Sequence, residues 1–214
     1  MRNLIELSKW VNDNSIKIIK MIPQKGVDSY LSIGEHFLKG DVRNNKAFQS
    51  EFKSFYGLNI AHLTKQFDDS YFHKFDKHRG QIITVETINL LLAEWYNIPN
   101  SKQLNTVQFS FMSKLVHTID NDRVIYDKWV RILFELKNVS TIGGLSFQEK
   151  IDIYYNQYLQ LQNAYKVLLD SGELDSIVIK FEKYFPQAIG ISKVKKLDFI
   201  FWKAGKIWGT SKNI

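Results

Sequence analysis

The chain contains no cysteine, and only three prolines and eleven glycines in 214 residues. Without a thiol, disulfide stapling and thiolate catalysis are excluded, and a reducing compartment is the expected setting. So few breakers favour long regular elements joined by short loops. Long apolar runs are also missing: none approaches the roughly 20 residues that span a bilayer. Residues 1–22 mix Glu6, Lys9, Asn12, Asp13, Asn14, Lys17 and Lys20 into the apolar positions, an amphipathic pattern unlike a secretory leader. A cytoplasmic protein with no membrane partner is expected. Strand signals are scarce, with Val178-Ile179 and 81–85 the only short candidates.

Hydrophobic residues make up 44% of the chain and aromatics 14%, ample material for a core and incompatible with wholesale disorder. Apolar residues recur at helical spacing along most of the length. Helices are expected over 3–21, 27–39, 45–56 (closed by Gly57), somewhere within 60–82, from Thr84 to about Trp95, over 106–119 and 127–137, over 146–170, 174–185, and 193–208 with Gly205 interrupting. Asp68, Asp69 and Ser70 are candidate caps within 60–82. The fold class is therefore all-α, a compact multi-helix fold over 1–214. Where it divides into lobes, Arg79-Gly80 (giving 1–79 and 80–214) or Gly143-Gly144 is the expected boundary.

Metal chemistry has little support. The histidines (His36, His62, His73, His78, His117) show no i, i+4 pair, so no zinc site is expected. Asp68, Asp69 and Asp76, or Asp120 and Asp122, could supply oxygen ligands, but loop carboxylates more often cap helices. No metal and no cofactor are assigned. Gly143-Gly144 precedes a helix and could offer amide N–H groups to a phosphate, yet Ser146 with Glu149 three residues on reads fully as a capping box.

The formal charge is +7, and the last 25 residues carry Lys193, Lys195, Lys196, Lys203, Lys206 and Lys212 against Asp198 alone. Such a run suits a polyanion such as double-stranded DNA. These lysines, with Arg131, are the candidate nucleic-acid contacts. The interleaved Phe201 to Trp208 segment also suits a helix docked with its lysines outward.

The densest chemistry lies in Phe109-Ser110-Phe111-Met112-Ser113-Lys114-Leu115-Val116-His117 and the following Val124-Ile125-Tyr126-Asp127-Lys128-Trp129. An apolar helix carries one lysine, and an aspartate opens the next helix after a short polar turn. Burial would make Lys114 a better nucleophile by lowering its proton affinity, an adjacent carboxylate would oppose that shift, and the alternative is a plain structural ion pair between Lys114 and Asp127. Asp127 could stabilise developing positive charge on a substrate, or simply cap its helix. An extruded base would need an aromatic platform, for which Tyr126 and Trp129 are the candidates.

Residues 110–134 resemble the core of the helix-hairpin-helix DNA glycosylases, particularly the bifunctional oxidised-purine type. The resemblance implies a helical fold, Lys114 as a Schiff-base nucleophile and Asp127 as its carboxylate partner. It covers about 25 residues, and Ser110, Phe111 and Met112 stand where the family hairpin carries glycines. The same stretch is similar to short uncharacterised bacterial proteins with a serine–lysine, histidine and tyrosine–aspartate arrangement. Base excision on DNA is the expectation, and the rival is a non-catalytic helical protein-interaction module of bacterial or phage origin, with a protein partner.

Overall fold

The computed structural model describes residues 1–211; Lys212, one of the C-terminal lysines, lies outside them. Short-range signals set most helix ends. In chain order the helices are α1 (Leu4–Asp13), α2 (Ser15–Lys20), α3 (Gln24–Lys39), α4 (Lys46–Tyr56), α5 (Lys65–Lys77), α6 (Val85–Tyr96), α7 (Phe109–Ile119), α8 (Lys128–Leu133), α9 (Phe147–Asp170), α10 (Asp175–Tyr184) and α11 (Lys193–Ser211). No strand occurs among the described residues, so the fold is all-α. None of these helices is long and apolar enough to cross a membrane.

Several caps are those the sequence predicts. Thr84 accepts from the Thr87 N–H, Gly57 closes α4 in the left-handed region, and Ser146 and Glu149 form the full capping box of α9. Others differ. The segment 3–21 is two helices, because Asn14 turns its side chain back to the Trp10 carbonyl and ends α1. Helix α5 starts at its N-cap Thr64, which accepts from the Phe67 N–H, not at Asp68–Ser70. Helix α8 ends early, where Glu135 adopts a left-handed φ of 53° and Leu136 N–H donates to the Arg131 carbonyl. Val178 and Ile179 lie within α10.

The chain forms two compact units. The terminal unit joins Met1–Gln24 to Asn121–Ile214, and the inserted unit is Lys25–Asp120. Arg79-Gly80 falls inside the inserted unit and Gly143-Gly144 inside the terminal one. Arg79 is a tie rather than a hinge: its guanidinium donates to Asp76 at 2.8 Å and to the Phe37 carbonyl.

The inserted unit packs α4 against α5 through Phe48, Phe52, Tyr71, Phe72 and Phe75, mostly edge-to-face at centroid separations of 5.2–6.1 Å. Each fully buried ring of this kind stabilises the fold by about 1.5–3 kcal/mol. In the terminal unit, Phe134, Tyr165 and Phe201 meet at 5.0–5.9 Å and lock the end of α8 to α9 and α11.

Candidate functional site

Lys114 belongs to the inserted unit and Asp127 to the terminal unit. Within the inserted unit, α7 is buried on every face, with all eight residues from Phe111 to Thr118 inside. The local sequence explains how a stretch carrying four polar residues tolerates this. Ser113 donates to the Ser110 carbonyl and Thr118 to the Lys114 carbonyl, both at 2.9 Å, so their hydroxyls are satisfied by the helix itself. Lys114 is only 6% exposed. Its ammonium donates to the Tyr56 carbonyl at 3.0 Å and stands 4.8 Å from the centre of the Phe111 ring. The Tyr30 hydroxyl and His117 Nε2 lie 3.4 Å apart. Tyr71 donates to the Phe111 carbonyl at 2.9 Å, and desolvation holds its phenol well above the ordinary range. The lysine is thus buried whole, not merely along its stem.

In the terminal unit, Asp127 is the N-cap of α8 and accepts the Trp129 N–H at 2.9 Å. Tyr126 points inward. Its hydroxyl donates to Gln157 Oε1 at 2.6 Å, its ring packs edge-on to Tyr154 at 5.6 Å, and burial pushes its phenol up. The buried ring offers no open face for a base. Trp129 is half-buried, with the Lys128 ammonium 4.6 Å from its ring centre. Arg131 donates to the Leu136 carbonyl at 3.1 Å and braces the turn after α8.

The C-terminal lysines divide. Lys193 and Lys206 are exposed, Lys193 standing 3.5 Å from Asp175. Lys195 and Lys196 are 1% and 3% exposed, and each has a carboxylate at 2.7 Å: Asp198 for the first, Glu182 for the second, with the Ile189 carbonyl also accepting from Lys196 at 2.8 Å. Lys203 is 8% exposed. The outward docking expected of this helix therefore fails at these three positions. Helix α11 is enclosed from Val194 to Phe201, so lysines on any of its faces turn inward there.

Gly205 sets the contact of α11 with α8. It does not interrupt α11, which continues to Ser211. A Cβ at Gly205 would lie 2.0 Å from the Trp129 carbonyl oxygen, and one at Gly209 would lie 3.2 Å from the Trp129 ring. The two glycines, four residues apart, form the notch in which α8 sits, and α8 with α11 is the most extensive helix pairing of the terminal unit. The Gly-x-x-x-Gly spacing was the available sequence signal. Arg2 was also unanticipated: its guanidinium stacks 3.8 Å from the Trp208 ring centre and 5.8 Å from that of Trp10, with burial lowering its proton affinity.

Three of the candidate carboxylates, all within α5, serve the fold. Asp68 pairs with Lys53, Asp69 with Lys65 at 2.6 Å, and Asp76 accepts the Val42 and Arg43 N–H groups at 3.3 Å. Among the described residues no cluster of three or more histidine or carboxylate side chains is placed to hold a metal ion. Comparison with protein-family models, with curated proteins and with solved structures finds no match for this chain.

Proposed function

We propose that this protein acts on DNA by base excision, with Lys114 as the attacking amine. The reading rests chiefly on the burial of the whole Lys114 side chain, amine included, in a helix that also buries Ser113 and His117. Lysine is among the residue types most rarely buried, and burial there is costly. An amine removed from water is a better nucleophile, because its lone pair is less tightly protonated. Attack on C1′ of a damaged nucleoside would break the glycosidic bond, the base leaving with the bonding pair and taking up a proton. Ring opening would then leave a Schiff base on Lys114.

Borohydride trapping tests this directly. Wild-type protein with abasic or oxidised-purine duplex should give a covalent adduct, and Lys114→Ala should give none while retaining helical content. Absence of any adduct with both substrates sinks the enzymatic reading.

A second reading is a non-catalytic protein-interaction module. It is favoured by Leu38, Ile82 and Leu90 of the inserted unit, each at least 71% exposed. Lys114→Ala that lowers Tm with no trapping in either protein is its expected outcome.

A further inference from the structure

Positive charge on the terminal unit is handled in two ways. Lys195 and Lys196 are neutralised by carboxylates at 2.7 Å. Lys128, Lys203 and Lys206 make no ion pair with any described residue. Their ammonium groups rest on indoles instead: Lys128 on Trp129 at 4.6 Å, Lys203 on Trp202 at 5.2 Å and Lys206 on Trp202 at 4.9 Å.

The Gly205 notch brings these groups together. The backbones of Trp129 and Gly205 touch, so their chain neighbours Lys128 and Lys206 have Cα atoms within roughly 12 Å, two Cα steps beyond the contact. Lys206 and Lys128 are exposed, while Trp129 and Trp202 are half-buried. Lys203 is nearly enclosed yet uncompensated, and desolvation, reinforced by Lys206, holds its amine below the ordinary lysine value.

We propose that this face binds the phosphodiester backbone of nucleic acid. Lys128 and Lys206 meet phosphates, the enclosed Lys203 ammonium adds positive charge behind them, and Trp129 and Trp202 offer ring surface to a sugar or base. Alternating cation and indole fits a polymer that alternates phosphate with flat rings, whereas an acidic peptide would use the charges alone. The neighbouring Asp127 accepts the Trp129 N–H as the N-cap of α8. This inference is independent of the amine chemistry proposed for Lys114.

Fluorescence anisotropy with a labelled oligonucleotide of about 20 residues, single-stranded in one arm and duplex in the other, between about 50 and about 200 mM salt, provides the test. The Lys128→Gln/Lys203→Gln/Lys206→Gln variant should bind at least tenfold more weakly at low salt. Its log–log salt slope should fall in magnitude by about 1.5 or more, the loss of two phosphate contacts and of the charge behind them. Because Lys203 is enclosed, Lys128→Gln/Lys206→Gln provides a variant altered only at exposed side chains, and its slope should fall by about 1.5. A larger loss for Trp202→Leu in the single-strand arm assigns the rings to bases; equal losses in both arms assign the face to backbone alone. Unchanged affinity and slope in both lysine variants overturn the proposal. So does an equal loss in Lys17→Gln/Lys20→Gln, or polyglutamate competing as well as the oligonucleotide at equal charge. Because trapping at Lys114 reads a covalent bond and anisotropy reads occupancy, either result can fail without the other.

Discussion

Helices α7 and α11 both bury lysine, and they do so by different means. In α11, Lys195 finds a carboxylate on its own helix three residues ahead, and Lys196 finds Glu182 on α10. In α7, Lys114 donates to a main-chain carbonyl and lies against a phenylalanine ring. The first arrangement is ionic and serves cohesion, because each charge offsets another within a low-dielectric interior. In the second, a main-chain carbonyl and a ring face are among the groups that hold the amine, and the helix encloses it whole. A lysine in an apolar helix therefore has no single meaning; its partner decides.

The sharpest way to break this contrast is at the notch that encloses α11. Gly205→Ala forces a methyl group into the Trp129 carbonyl and should cost about 3 kcal/mol or more, whereas Gly209→Ala meets only side-chain atoms of Trp129 and Ile132 and should cost about 1 kcal/mol. Equilibrium denaturation of the two variants reads the difference, and equal small losses would refute the close crossing. Next in size is the ionic pair. Lys195→Met strands the buried Asp198 carboxylate and should cost about 3 kcal/mol, while Lys195→Met/Asp198→Leu should recover most of it.

Asp127 offers a smaller and more discriminating test. Asp127→Ala removes a cap, worth about 1 kcal/mol, but Asp127→Asn keeps the acceptor for the Trp129 N–H. Asp127→Asn should therefore preserve Tm where Asp127→Ala lowers it, and equal losses in thermal denaturation would rule out the cap. The smallest effect is at Lys203. Its folded-state pKa lies below the unfolded value of 10.5, so the unfolded chain binds the extra proton. Its unfavourable contribution is complete at neutral pH and relieved as pH rises toward about 10.5. Wild-type stability should therefore gain slightly on Lys203→Gln between about pH 8 and about pH 10 in matched urea titrations.

Much of the helical layout was legible because its determinants are local. Thr84, Gly57, and Ser146 with Glu149 do in the fold what their types and spacing imply. Asn14 and Glu135 were not legible as stops, since an asparagine can sit inside a helix and a glutamate rarely adopts positive φ without tertiary support. At the candidate site, Asp127 as an N-cap was readable from the sequence. The enclosure of Tyr126, Lys195, Lys196 and Lys203 was not.

What the sequence by itself determined is an all-helical chain, most of its caps and the apolar character of α7, because periodicity and capping act over a few residues. Which charges face water was decided by the tertiary structure alone. Burial depends on what packs against each face: at Gly205 the absence of a single Cβ lets α8 and α11 touch, and Lys196 is enclosed by Glu182 and the Ile189 carbonyl, partners that no local pattern specifies.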